Sequence, residues 1–244
     1  MTQSNERENG TEHSGRRSRF GVLRFSAVEM LIALVLLFVA TPFIESLPGG
    51  DLIEAALMSL FFLSAVLAVG GRRGMLVLAV LLSLPAVVGK WLHHLQPHAH
   101  SPVLFLVSAI VFLAFIVIQV LRFVLTAKRV NAEVLCASIS AYLTMGLIWA
   151  MAYRLVATFS AEAFAFSSPE AANRPMEGFT AFYFSFVTLS TVGYGDITPV
   201  SSVARMLAVL ESMTGTLYVA VLIARLVALY STPEPTNKSE PPQP

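Results

Sequence analysis

The chain of 244 residues has 13% charged and 56% hydrophobic residues, a formal net charge of +1 and a mean hydropathy of +0.72. A soluble domain carries roughly 25% charged residues, so this composition excludes an ordinary soluble protein and indicates a membrane protein. The sequence has no basic, aromatic-rich stretch, which excludes a nucleic-acid partner, and its single Cys136 excludes an intrachain disulfide.

The polar N-terminal segment, residues 1–24, is predicted to be a disordered cytoplasmic arm. Its basic residues before the first apolar run are Arg16, Arg17, Arg19 and Arg24. That run, residues 27–44, is longer than the apolar part of a usual signal peptide, and no small-x-small cleavage site follows it. We therefore expect a retained transmembrane helix.

Six apolar runs are candidates to cross about 30 Å of hydrocarbon at about 1.5 Å per residue. They are residues 27–44, 52–69, 75–88, 102–126, 134–157 and 201–230. The third run is short and contains Pro85, which allows a kink if neighbouring helices satisfy the freed backbone groups. The six runs predict an all-α membrane protein.

The orientation follows from the basic residues, because Lys and Arg are enriched in short cytoplasmic segments. The N-terminal arm and the basic pairs at 72–73 and 128–129 then share one side, while Glu45 and Asp51 lie on the other. We expect both termini in the cytoplasm and the chain in a plasma membrane. Its compactness alone suggests a bacterial inner membrane.

Between the last two spans, residues 158–200 are too polar at first, and too short in their apolar part, for another full crossing. Residues 160–178 predict an exposed loop. Residues 179–189 predict an aromatic-rich helix of about 16 Å, roughly half a membrane. This arrangement is typical of a re-entrant helix that is buried by protein rather than by lipid.

Residues 188–196, TLSTVGYGD, follow this short helix directly. They resemble the T-x-x-T-x-G-Y-G-D signature of the potassium channel family, which lies between a half-length helix and a final span. An ordinary glycine turn also accepts Gly-Asp beside Thr-Pro, but it requires neither flanking helix. We therefore interpret the segment as a selectivity filter, in which backbone carbonyls replace the hydration shell of K⁺.

The resemblance implies that K⁺ binds to oxygen rings built from four copies of one strand. The predicted filter consists of Thr191, Val192, Gly193, Tyr194 and Gly195. Its successive carbonyls can point to the same side only if residues with left-handed backbone angles alternate with residues with right-handed ones. Gly193 and Gly195 permit this alternation, because glycine adopts a positive φ without a steric penalty from Cβ. Val192 and Tyr194 should then point away from the axis. We expect a homotetramer among membrane lipids, with K⁺ as the permeant ion and no cofactor.

Four residues are predicted to support the filter from behind: Tyr183, Val187, Thr188 and Asp196. The resemblance implies that the Tyr183 hydroxyl, or a buried water, bonds the Asp196 carboxylate. Some relatives carry a carboxylate in the place of Val187, so that support is absent here. The helix C-terminus near Leu189 should direct its partial negative charge at a cation in the cavity.

The last span contains the predicted cavity and gate residues: Glu211, Ser212, Gly215, Thr216 and Val219. Gly215 is either a hinge or a small residue that allows close helix packing. Glu211 lies at hydrocarbon depth, where a charge is costly. It either bonds a pore-helix hydroxyl such as that of Thr188 or attracts cations in the cavity, and we favour the former. Arg225 is expected to extend towards the interface.

The outer region, residues 25–129, is predicted to be a four-helix domain like a voltage sensor but without gating charges. Its fourth span carries only Arg122, near its end, whereas steep gating needs roughly 3 to 4 charges per subunit. Residues 130–230 form the predicted pore domain, and the proline-rich residues 231–244 a disordered cytoplasmic tail. We expect weak or no voltage dependence.

Four histidines cluster in the predicted outer loop: His93, His94, His98 and His100. A pH sensor or metal site is conceivable, but the spacing is no defined metal motif, and solvated loop histidines are the favoured interpretation. We predict no catalytic residues and therefore no enzyme. The resemblance at residues 188–196 implies a potassium-selective channel that conducts K⁺ passively. The alternatives are a poorly selective cation channel and a non-conducting scaffold or modulatory subunit.

Overall fold

The computed structural model describes residues 21–44, 47–69, 73–95, 102–167 and 175–230. The helices are α1 Gly21–Ile44, α2 Gly50–Val69, α3 Arg73–Leu95, α4 Val103–Thr126, α5 Ala132–Phe159, α6 Gly178–Leu189 and α7 Ser202–Tyr230. Two strands, β1 Phe164–Phe166 and β2 Ile197–Pro199, flank α6. Residues 1–20 of the predicted arm, the loop positions His98 and His100, and the tail 231–244 lie outside the described residues.

All helices except α6 are long and apolar enough to cross a membrane, so the predicted all-α membrane architecture is confirmed. Two helices extend beyond the apolar runs that predicted them. Helix α1 begins at Gly21, so the last four residues of the predicted arm are helical. Helix α3 continues through Pro85 to Leu95.

Helix α3 extends past its apolar run because polar contacts hold its C-terminal part against α2. The Lys90 ammonium lies 3.1 Å from the Glu54 carboxylate, and the Trp91 indole donates to the Ser59 hydroxyl at 3.2 Å. Neither side chain of the ion pair is more than 15% exposed. This ion pair between Lys90 and Glu54 therefore joins α3 to α2.

One buried apolar cluster joins the first four helices to α5 without a break at the predicted boundary near residue 129. Helix α4 contributes buried side chains that are all apolar, and its Phe112 packs edge to face on Phe62 of α2. Tyr153 of α5 belongs to the same cluster. The division into a sensor-like and a pore domain stays a prediction about function, since the core itself is continuous.

The segment after α5 is not simply the exposed loop that the sequence predicted. Strand β1 pairs antiparallel with β2, with Phe164 opposite Pro199 and Phe166 opposite Ile197. Ala163, Phe164 and Met176 are buried. The three-residue strands carry no clear alternation in the sequence, and the pairing partner lies beyond α6, which is why the pattern did not predict them.

Helix α7 differs from the others in exposing apolar side chains along most of its surface. The large exposed ones are Val203, Met206, Val209, Leu210, Met213, Leu217, Val219, Val221, Ile223 and Val227. Buried positions on α7 include Ala204, Glu211 and Gly215. The helix therefore meets its own subunit along one narrow stripe.

Candidate functional site

Helix α6 is held by aromatic rings on the side that faces α5. Tyr153 of α5 packs edge to face on Phe184 of α6 with ring centroids 4.8 Å apart, and Phe164 of β1 contacts both rings. Gly146 of α5 allows the Phe186 ring to approach, because an added Cβ would overlap that ring. Four aromatic rings and one glycine thus fix the depth at which the short helix lies.

Helix α1 supports α6 from another side. The Phe38 ring of α1 lies edge to face on Phe182, with centroids 5.5 Å apart, and on Phe186, with centroids 4.8 Å apart. Such pairs contribute about 0.5–1.5 kcal/mol beyond their burial. The sequence did not predict this contact between the first span and the short helix.

The backbone after α6 alternates in hand as the filter interpretation requires. Gly193 and Gly195 have φ of +56° and +79°, and Thr191 also has a positive φ, +59°. Every second residue of the segment is therefore left-handed, while Val192 and Tyr194 are not. The positive φ at Thr191 was not predicted, because threonine is β-branched and disfavours that region.

The first residues of this strand are tied to the end of α6 by backbone hydrogen bonds. The Val192 and Gly193 amides donate to the Val187 carbonyl at 3.0 and 3.3 Å, and the Thr191 amide donates to the Thr188 carbonyl at 2.9 Å. These bonds use carbonyls that the last turn of a helix leaves free. The first three residues of the strand, 191–193, are consequently held against the last turn of α6.

The far end of the strand is tied to Tyr183. The Tyr183 hydroxyl donates to the Asp196 carboxylate at 2.7 Å, which is the predicted direct bond. The Tyr183 and Tyr194 rings are nearly parallel, with an interplanar angle of 6° and centroids 6.4 Å apart. The Ser167 amide, just beyond β1, donates to the Asp196 carbonyl at 2.9 Å.

Replacing Tyr183 with phenylalanine should weaken this end of the strand while keeping the ring stack. Removing a hydrogen bond to a charged group costs about 1.5–3 kcal/mol. We expect the reconstituted Tyr183→Phe protein to lose K⁺ flux about tenfold faster than wild type during sustained conduction. Tyr142→Phe, which removes a tyrosine hydroxyl elsewhere on the subunit, is the control. Equal rates of decline in both variants would contradict the prediction.

The side chains of Val187, Val192 and Tyr194 line a groove of about 510 Å³ together with Phe38 and Phe186. Val192 and Tyr194 thus lie towards α6 and α1. Tyr194 is 71% exposed on the isolated subunit, a high value for a tyrosine that lines a groove.

Glu211 of α7 is 0% exposed and lies between α5 and α6. Its carboxyl group contacts two hydroxyls, those of Tyr153 on α5 and Ser185 on α6, the latter at 2.5 Å. The favoured prediction was a hydrogen bond to a hydroxyl on the short helix, such as that of Thr188. The bond is made to a hydroxyl of α6, but the residue is Ser185. Thr188 instead accepts, through its carbonyl, a bond from the Ser212 hydroxyl at 3.2 Å.

Gly215 lies against the C-terminus of α6. An added Cβ there would overlap the Leu189 carbonyl oxygen, a backbone atom that cannot rotate away. The sequence left two interpretations of Gly215, a hinge and a small residue that allows close helix packing. The structure shows the close packing. Thr216 and Val219 are exposed on the subunit, and their lining of a cavity stays a prediction.

Arg225 does not simply extend towards the interface as predicted. Its guanidinium donates to the Leu125 and Ala127 carbonyls, at 2.8 and 2.9 Å, where α4 ends. Free carbonyls and the negative end of the helix dipole make this terminus a favourable place for a cation. The bond joins the end of α7 to the connection between α4 and α5.

In the comparison with known proteins, the family match falls on the part of the chain that carries this site. The ion channel family model matches residues 140–232. Protein LctB of Bacillus caldotenax is 34% identical over 101 residues, which cover 41% of this chain and 74% of that protein.

Two named potassium channels match over shorter stretches. Two-pore potassium channel 4 of Arabidopsis thaliana is 48% identical over 48 residues, covering 20% of this chain and 17% of that channel. The voltage-gated potassium channel Kch of Escherichia coli is 58% identical over 36 residues, covering 15% of this chain and 9% of that channel. The chain therefore spans less than a fifth of either channel. No solved structure gives a significant match.

The family model covers most of α5, all of α6 with the segment that follows it, and α7. LctB and the two potassium channels are similar over the lengths given above. This chain belongs to the potassium channel family.

Proposed function

We propose that four copies of this chain form a pore that conducts K⁺ selectively and passively across a plasma membrane, with both termini in the cytoplasm. The observation that carries the proposal is the alternation of backbone hand at Thr191, Gly193 and Gly195 within TVGYG. A strand of this kind can present successive carbonyl oxygens on one side, where they replace the hydration shell of K⁺.

The exposed surfaces of the subunit support a fourfold assembly. All five filter residues are exposed, as is most of the apolar surface of α7. One strand supplies only one side of an ion-binding ring, so the ring needs further copies around an axis. In this tetramer, copies of α7 would surround the cavity and cover one another, and Tyr194 would pack on a neighbouring subunit.

A flux assay on the purified chain tests the proposal. Protein reconstituted alone into liposomes should dissipate a K⁺ gradient and leave a Na⁺ gradient largely intact, and cross-linking in the same liposomes should trap species up to the tetramer. Equal K⁺ and Na⁺ fluxes would instead identify a poorly selective cation channel. Tetramers without flux would identify a scaffold or modulatory subunit.

We predict that this conductance depends weakly, or not at all, on voltage. The α4 side chains that face the core are apolar, and Arg122 is exposed near the end of the helix. Moving one charge through the field contributes about 2.3 kcal/mol per 100 mV, so steep gating needs several. Conductance in symmetrical K⁺ should therefore vary little between negative and positive potentials. A steep sigmoid curve would refute the prediction.

A further inference from the structure

We propose that the Glu211 side chain is a neutral carboxylic acid that donates a hydrogen bond to Ser185 and thereby positions the pore helix α6 for conduction. The part that concerns conduction rests on the proposed function. The protonation state rests on the local geometry alone, so the two parts can fail separately.

Glu211 has no described cation to balance a negative charge. The side chain is 0% exposed, and the ion pair found among the described residues joins Lys90 to Glu54 instead. Among the described residues, the hydrogen-bond partners of its two carboxyl oxygens are both hydroxyl groups, those of Tyr153 and Ser185. A buried, unpaired carboxylate at membrane depth is strongly disfavoured, whereas a protonated one is tolerated.

The hydrogen bonds around Ser185 require one more proton than its hydroxyl supplies. Ser185 Oγ lies 2.7 Å from the Gly146 carbonyl oxygen and 2.5 Å from Glu211 Oε1. Both are distances of full O–H···O bonds. Ser212 Oγ, at 3.0 and 3.2 Å from two carbonyls, shows the longer contacts of a shared proton.

One assignment of protons satisfies every contact. The Gly146 carbonyl has no proton, so Ser185 donates to it, and Glu211 must then donate from Oε1 to Ser185 Oγ. The Tyr153 hydroxyl donates to Oε2, which is the carbonyl oxygen of the acid. With an ionised Glu211, either the Gly146 carbonyl or the carboxylate would face lone pairs of Ser185 instead of a proton.

The resulting chain of hydrogen bonds connects three helices behind the filter. Tyr153 and Gly146 belong to α5, Ser185 to α6 and Glu211 to α7. Ser185 lies one turn before Leu189, where α6 ends and the filter strand begins. Glu211 is thus a positioning residue that acts on the strand through α6.

Substitutions at Glu211 separate a neutral acid from an anion. Glu211→Gln supplies an N–H donor for Ser185 and a carbonyl acceptor for Tyr153, as the neutral acid does. We expect it to conduct K⁺ within about twofold of wild type. Glu211→Leu removes both the donor to Ser185 and the acceptor of the buried Tyr153 hydroxyl, and should lose about tenfold. Equal losses of flux in the Glu211→Gln and Glu211→Leu variants would overturn the proposal. Both variants lack a negative charge, whereas the Gln variant keeps the donor and the acceptor of a neutral acid, so equal losses would mean that wild-type Glu211 acts as an anion.

Infrared spectroscopy tests the protonation state without any flux. The difference spectrum of wild type minus Glu211→Gln should contain the C=O stretch of a protonated carboxylic acid. Tyr153→Phe should shift that band to higher frequency, since its carbonyl loses a donor. A carboxylate band in place of the acid band overturns the protonation state even if the wild type conducts. An acid band in a protein without flux would leave the protonation state standing and reject the proposed function.

Discussion

Alanine at Gly193 should abolish K⁺ flux. The φ of +56° at this position lies in the left-handed region, where a residue with a Cβ costs about 1–2 kcal/mol. Four copies in one ring would cost about 4–8 kcal/mol, and since each 1.4 kcal/mol corresponds to tenfold, we expect flux to fall at least about 100-fold. The measurement is K⁺ flux per reconstituted tetramer.

The loss should come from backbone strain rather than from a clash. An added Cβ at Gly193 meets nothing within 4 Å on the subunit, so space alone would accept alanine. Gly74 in α3 also has open space around an added Cβ, but it is not among the glycines with positive φ. Gly74→Ala should therefore conduct like wild type. A conducting Gly193→Ala protein would show that the strand does not form the filter.

Alanine at Gly215 should be nearly as damaging, for a different reason. Its Cβ would overlap the Leu189 carbonyl oxygen, so α7 and the end of α6 must separate. Overpacking of this kind costs about 1–3 kcal/mol per site. Leu189 ends α6, two residues before the proposed filter begins at Thr191. We therefore expect Gly215→Ala to lower both the K⁺ flux and the ratio of K⁺ to Na⁺ flux, together with the melting temperature of the tetramer.

The hinge interpretation of Gly215 gives a different result. A stiffer hinge changes how often the pore opens and leaves the filter intact, so the ratio of K⁺ to Na⁺ flux and the melting temperature would stay at wild-type values. Single-channel recordings separate the two outcomes, because a hinge effect alters open probability at constant conductance. Gly74→Ala again controls for alanine in a membrane helix.

The sequence predicted the architecture well because its strongest signals are local. Long apolar runs gave six spans, and the residues between the last two gave the short helix within one residue of its observed start. The TVGYG motif likewise located the alternating backbone, since two of its left-handed positions are glycines. The geometry at Thr191, Gly193 and Gly195 supports these local predictions.

The contacts that sequence reasoning missed are long-range ones. Tyr153 and Glu211 are separated by 58 residues, and no periodicity links a tyrosine in one span to a carboxylate in another. Arg225 likewise bonds carbonyls about a hundred residues away. Such pairs depend on how each helix is rotated about its axis relative to its neighbours. That rotation is set by the packing of many apolar side chains, which are so similar in hydrophobicity that the sequence pattern does not distinguish one rotation from another.

The edge-to-face contacts of Phe38 connect the first helix, α1, directly to the short helix α6. A ring wedged against Phe182 and Phe186 cannot slide without moving the helix that carries them. A change in bilayer thickness that alters the tilt of α1 therefore acts on α6 directly, by a route that does not pass through α7.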